Sequence, residues 1–484
     1  MSLPVSSEAV KKVFENCGDL EVRTVRPGGG AVKAVLCYLD GLADVRAVGR
    51  DIIRPLTEKE RFDGAVGEGE IVRRLLDGAL FSVPCRERRS MAELAGDILR
   101  GGCALIFDGV GVACSYEVKN RIGRGVDKPE NEKAIKGAKD SFCETYRLNT
   151  ALVRARLRSA EVKIYECFVG RRSDTKVGLV YIEGLTSAEF VKEAKKRLSQ
   201  IDIDGLLTTG DIEEYMTGAG PTPFPQMLIT ERPDKFCMGL LEGRVGIMAD
   251  GLPCGLMLPA VIGEFIKVPD DNAEHFMTAS LVTLLRFAAA ALSLIIPALY
   301  VAVTMYHQGM MPTKLILSVI RSRRDVPFST MGEVLSMLVA FELLQEAGLR
   351  LPKSIGETVS IIGALIVGQS AVEAKLLSPA VVIVVALAGI TGYTMPDQDM
   401  AAALRLCRLA LTVLAVISGM FGIVAGVIMI ILHLSSLETF GVPYTAPFSE
   451  GNAREILQTL LRFPLKSVKY RKAYMRTRDR RKQK

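Results

Sequence analysis

The chain has 484 residues and a formal net charge of +7, from 61 Lys and Arg against 54 Asp and Glu. That length admits about two to four domains. Ten cysteines with no C-x-x-C pair, and only His275, His307 and His433, exclude a zinc module; no metal site is expected, and the thiols read as small buried side chains in a reducing compartment. A composition of 49% hydrophobic and 24% charged residues averages two unlike halves. Residues 1–275 are rich in charge, apolar runs dominate from Leu281 to Leu434, and Gly451–Lys484 is basic again.

The N-terminus, MSLPVSSEAVKKVFENCGDLEV, has no apolar stretch of secretory-signal length, so the first domain is expected to stay on the side where it is made. The sequence then repeats itself. Tyr38-Leu39-Asp40-Gly41-Leu42 returns as Tyr181-Ile182-Glu183-Gly184-Leu185 at an offset of 143, and Ile98–Gly109 returns as Leu240–Gly251 at an offset of 142. Two matches at nearly constant offset predict a duplication: one α/β subdomain over residues 1–135 and its repeat over 160–275. In each copy an apolar strand precedes the Gly41 or Gly184 turn, and an amphipathic helix follows. A late strand then ends in Asp-Gly and turns back into another. Asp108 and Asp250 hold that position and read as hairpin turns rather than catalytic groups.

Between the copies, residues 136–159 form a basic helical segment carrying Arg147, Asn149, Arg154, Arg156 and Arg158. It suits an anionic partner, a lipid surface, an interdomain contact, or simply a solvated helix face. The phosphate-loop, zinc-protease, nucleophile-elbow and EF-hand patterns are all missing. The soluble half therefore reads as non-enzymatic, with no cofactor.

The second half reads as an all-α polytopic membrane domain over residues 276–448. Leu281–Met305 is a first span, about 37 Å long as a helix. Arg286 near its start is expected to reach the interface, and Pro297 to kink it. Val359–Ala374 and Pro379–Tyr393, separated by Lys375–Ser378, predict a tight antiparallel hairpin. Leu406–Leu434 is the longest run, and Ser418, Gly422 and Gly426 make a flat stripe for helix packing. Tyr300, Tyr306 and Tyr393 sit at span ends as an interfacial belt. The stretch 307–357 reads as amphipathic or re-entrant, with Glu342 and Glu346 one turn apart. Four crossings or six would both keep the two ends on one side. The tail, residues 449–484, is basic and next to the last span. That position suits anionic lipid head groups on the cytoplasmic side, or a solvated tail, and argues against nucleic acid.

Several blocks carry a family resemblance. KGAKDSFCETYRLNTALVRARLRS (136–159) looks like the interdomain segment of the A subunit of the GerA family of spore germination receptors, with Ala138 and Ala155 replacing a usual Pro and Arg. PTPFPQMLITERPDK (221–235), LLEGRVGIMADGLP, PALYVAV, FELLQEAGLRLPKSIGETVSIIGALIVGQSAVEAKLLSP and FGVPYTAP are similar to further family blocks, in order, from about Tyr38 to Phe448. The resemblance implies a complex with a polytopic membrane B subunit and a lipoprotein C subunit in the spore inner membrane, responding to nutrients. It also implies a homo-oligomeric A subunit that releases ions, with its soluble domain and tail cytoplasmic. A cation path needs acceptor groups within the helices, and Glu342, Glu346, Gln369 and Glu373 are the candidates. The alternatives are a non-conducting scaffold or signal-relay subunit of the same complex, and a secondary transporter. The repeat lies in the soluble half, where an inverted-repeat transporter would not carry it.

Overall fold

The computed structural model describes residues 4–483 except 63, 66, 81, 121–128, 130, 131, 133–135, 219 and 351–367. It divides into two units. Unit 1 is Met1–Ala219, Met227–Ala260 and Val468–Lys484; unit 2 is Gly220–Gln226 and Val261–Ser467.

Unit 1 holds two five-stranded sheets. The first contains β1 (Leu20–Val25), β2 (Ala34–Leu39), β3 (Cys85–Arg88), β4 (Gly102–Phe107) and β5 (Val112–Glu117), in the spatial order β1-β2-β4-β5-β3. The second contains β6 (Val162–Val169), β7 (Thr175–Ile182), β8 (Leu228–Thr230), β9 (Val245–Ala249) and β10 (Gly255–Leu258), in the order β6-β7-β9-β10-β8. Each order is the other with every strand advanced by five, and every strand pair within these sheets is antiparallel. The register is also the same. Leu36 faces Leu105 in the first sheet, and Leu179 faces Ile247 in the second. The drop in offset from 143 to 142 therefore falls between the paired strands and leaves their alignment intact.

The apolar runs do not alternate because both sheet faces are covered. On β2 and β4, Leu36, Tyr38, Leu105 and Phe107 join a core beneath the 45–76 helical segments. Cys37, Leu39, Ala104 and Ile106 join another with the N-terminal helix and the Met91–Leu99 helix. After β2 and β7 the chain turns at Gly41 and Gly184, with φ of +85° and +78°, a conformation that glycine adopts without penalty.

Unit 2 is helical. Phe276–Met305 runs unbroken through Pro297 for 30 residues and carries no internal dihedral break. Thr313–Arg323 is a short helix, and Thr330–Arg350 is one continuous helix of 21 residues. Pro379–Gly392 follows the Lys375–Ser378 turn. The first part of the expected Val359–Ala374 helix lies outside the described residues, whereas residues 368–373 are helical. Among the described residues, Phe276–Met305 and Gln398–Ser436 are long and apolar enough to cross a membrane.

The Leu406–Leu434 run, read from sequence as a single span, is two arms. Within Gln398–Ser436, Gly419 departs from helical geometry (φ 60°, ψ −134°). A Cβ on Gly422 would lie 2.1 Å from the Leu414 carbonyl oxygen, and one on Gly426 2.5 Å from Leu411 Cδ1. Residues eight and fifteen apart meet this closely only if the chain has reversed. The arms, 398–418 and 420–436, are about 31 and 25 Å long.

The basic tail is not free either. Ala453–Leu460 is a helix of unit 2, and Lys267 Nζ donates to Gln458 O at 2.7 Å. Residues from Val468 onward belong to unit 1, where Arg478 N donates to Leu185 O at 3.1 Å and Met475 is fully buried.

Candidate functional site

The core of unit 2 is built from small and branched residues: Ala298, Val301 and Ala302 of the first long helix, Val334 and Leu338, Val381 and Val385, and Leu411 and Ala415 of the hairpin. Small side chains let helix backbones approach where no water drives them together. A charged cluster is set into this apolar frame. Glu342 accepts from Arg408 Nη2 at 2.5 Å and pairs with Arg405 Nη1 at 3.3 Å. Arg405 Nη1 also donates to Gln345 Oε1 at 2.8 Å. The Arg408 side chain is 4% exposed and also reaches the Ala388 carbonyl. Three helices thus meet around the Arg408 guanidinium, and Gly389 leaves room there for Phe341, whose ring carbon lies 2.3 Å from where a Cβ would be.

The other expected ion-path residues are not brought to this cluster by any described contact. Glu346, one turn beyond Glu342, is exposed. Gln369 Nε2 donates to Glu373 Oε1 at 2.8 Å on an exposed helix end. Among the packing residues, Gly422 and Gly426 face the sister arm, while Ser418 is exposed beside the bend. Tyr306 Oη donates to Val416 O at 2.5 Å, satisfying a carbonyl freed by the reversal.

Glu333, Arg405 and Arg408 belong to no motif in the sequence, yet the fold brings them to buried and half-buried ion pairs. Glu333 is 0% exposed, accepts from Arg323 Nε at 3.0 Å, and accepts the Ser378 N–H at 2.9 Å at the start of the Pro379–Gly392 helix. The available signal was a charge on an apolar stripe: Glu333 falls with Val334, Met337 and Leu338, and Arg408 with Cys407, Leu411 and Ala415. A charge placed there survives only if it is paired.

In unit 1 the basic segment turns inward. Its helix is Tyr146–Arg156. Arg154 grips Asp19 and donates to Val162 O at 2.6 Å. Burial alone would lower the guanidinium pKa, but the Asp19 carboxylate outweighs it and holds the group above its ordinary value. Arg147 pairs with Glu166 at 2.5 Å and with Asp40 at 3.1 Å. Asn149 Oδ1 accepts from Cys143 N at 2.8 Å, Arg156 pairs with Asp140, and Arg158 Nε donates to Ala155 O at 3.1 Å. Of the readings open for this segment, contact between the subdomains is the one that Arg147 and Arg154 make.

A family model described as Bacillus/Clostridium GerA spore germination protein matches residues 8–474. The chain belongs to the GerA family. Uncharacterized membrane protein YfkQ of Bacillus subtilis (strain 168) is 36% identical over 463 residues, 96% of this chain and 89% of its own. Spore germination protein B1 of the same organism is 34% identical over 96% of this chain and 95% of its own. Spore germination protein GerLA of Bacillus cereus is 30% identical over 98% and 96%. Among solved structures, the N-terminal domain of the A subunit of the Bacillus megaterium spore germinant receptor GerK3 is 26% identical, covering 54% of this chain and 98% of that one, with a TM-score of 0.43.

In this GerA-family chain the PTPFPQMLITERPDK block is divided. Gly220–Gln226 belongs to unit 2 and Met227 onward to unit 1. Thr222 Oγ1 lies 2.9 Å from His433 Nε2, and the Phe224 ring centroid is 6.1 Å from that of His433. Pro223 and Phe224 close one side of an apolar cleft of about 230 Å³ against both hairpin arms.

Proposed function

We infer that this chain is the A-type membrane subunit of a nutrient-responsive spore germination receptor, and that its helical unit, as a homo-oligomer in the spore inner membrane, conducts cations released at germination. A polytopic B subunit and a lipoprotein C subunit are its partners, and the soluble domain and tail are cytoplasmic. The observation that carries the conducting role is the cluster of Glu342, Gln345, Arg405 and Arg408 inside a largely apolar set of helices. Ionisable groups there are costly and mark ion pathways. In the arrangement described, two guanidiniums neutralise Glu342 and leave little for a cation to bind, so conduction requires Glu342 to separate from Arg408. A packing change driven by a partner would supply that separation.

The double pairing of Glu342 also favours a second reading, in which the cluster only locks the helices and the chain is a non-conducting relay. Potassium efflux from liposomes holding the purified chain, with and without its partner subunits, separates the two. Efflux that Glu342→Gln or Glu373→Gln alters, with assembly intact, supports conduction. No efflux from a complex shown to be assembled leaves the relay.

A further inference from the structure

The end of the first long helix carries a feature that the conduction reading does not use. After Phe276–Met305 the chain turns through Gln308–Met310 and enters Thr313–Arg323, a helix with no buried residue. Lys314, Arg321 and Arg324 are spaced by seven and three, and so share one face. Ile316, Val319, Ile320 and Arg323 share the adjoining face, with Arg324 at the border between the two. Arg323 is taken by Glu333. The side chains of Lys314, Arg321 and Arg324 have no partner among the described residues.

The second face lines a cleft of about 220 Å³ with Met311 and Phe328, and Arg324 lines it too. Ile320 and Phe328 stand 54% and 53% exposed. Exposed apolar side chains beside unpaired cations, on a short helix that follows a membrane-crossing one, have the composition of a helix lying in the interface. By contrast, the tail's Arg462 and Arg471 already donate to backbone carbonyls of Asn272 and Leu241.

We propose that this cleft seats one anionic phospholipid. Its phosphate lies against Arg324, with Arg321 one helical turn away adding to the local positive charge, and an acyl chain runs along Ile316, Val319, Ile320 and Phe328. The charge selects an acidic head group, and the apolar wall selects a lipid over a free anion, because inorganic phosphate would leave that wall in water.

The test is native mass spectrometry of the full-length chain in mild detergent, titrated with phosphatidylglycerol, with phosphatidylcholine of the same chains, and with inorganic phosphate. The wild type is expected to hold phosphatidylglycerol in preference to phosphatidylcholine. Arg321→Gln with Arg324→Gln is expected to weaken phosphatidylglycerol about thirtyfold and leave phosphatidylcholine unchanged, from the attraction of two basic side chains to an anionic surface. If the double variant is not monodisperse, Arg324→Gln alone is read in its place, with about a fivefold loss. Equal affinity for the two lipids, unchanged phosphatidylglycerol binding in the variant, or displacement of that lipid by inorganic phosphate would each overturn the proposal.

Discussion

Arg154 and Asp19, 135 residues apart, meet as a two-pronged ion pair at 2.8 and 2.9 Å, with each side chain 1% exposed. Asp19 precedes the first sheet, and Arg154 stands on the helix that leads into the second. The pair therefore stitches the two copies of the duplication together, beside the backbone link between Gly18 N and Ile164 O at 2.9 Å. Removing one partner of a buried pair leaves the other charged and unsolvated, which costs about 3–5 kcal/mol. Arg154→Ala is expected to lower the melting temperature of the full-length protein in detergent by on the order of 10 °C. Circular dichroism is the readout, since the chain has no Trp. Arg154→Lys keeps the charge but loses the fork, and is expected to fall between. A wild-type melting curve for the alanine variant would remove the pair from any joining role.

Asp108 and Asp250 are repeat equivalents with the same task. Asp108 accepts from Ser7 N at 2.7 Å, and Asp250 accepts from Tyr146 N at 3.0 Å, so each turn caps the helix that precedes its own subdomain's first strand. Each change to Ala is expected to cost about 1 kcal/mol. The double variant should lose the sum, because the two caps share no partner. Thermal unfolding of the two single variants and the double variant checks this; a strongly non-additive double would mean that the caps are coupled.

The hairpin makes different demands on its small residues. Gly422→Ala puts a methyl group on the Leu414 carbonyl, and Gly419→Ala forces a side chain into a backbone region that costs about 1–3 kcal/mol. Both variants are expected to reduce the yield of monodisperse protein in detergent. Ser418→Leu, exposed beside the bend, is expected to leave the yield unchanged. Equal sensitivity at all three positions would favour a single stripe facing another helix.

Asp97 gives unit 1 an acid limit. Burial alone would raise its carboxyl pKa, but Arg88 at 2.7 Å, the Ser115 hydroxyl at 2.6 Å and the charge of Arg100 together hold it below its ordinary value. A depressed folded-state pKa stabilises fully above the unfolded value, about pH 4, and the contribution is lost as the pH falls below it. Asp97→Asn should therefore be less stable at neutral pH and show a shallower loss of stability below about pH 4. A parallel pH profile for the two proteins would exclude the linkage.

The duplication, its strands and the Asp-Gly turns were legible in the chain because they rest on local pattern: apolar runs, glycine at the turns, and two blocks at a nearly fixed offset. The family was legible for the same reason, since its motifs are contiguous. The sequence also marked the most apolar run, Leu406–Leu434, but not its reversal. Sixteen residues around Gly419 look equally apolar whether the helix continues or folds back, and only the approach of Gly422 to Leu414 and of Gly426 to Leu411 distinguishes the two. In the same way the basic segment showed its charge but not where that charge goes. The charged partners of Arg154 and Arg408 lie 135 and 66 residues away, Glu333 also takes the Ser378 N–H 45 residues on, and burial decides whether such a charge meets water, lipid or a carboxylate. Local chemistry therefore determined the elements and their duplication, while the pairing of buried charges was settled by tertiary packing, because desolvation is a property of the folded surroundings and not of the residue.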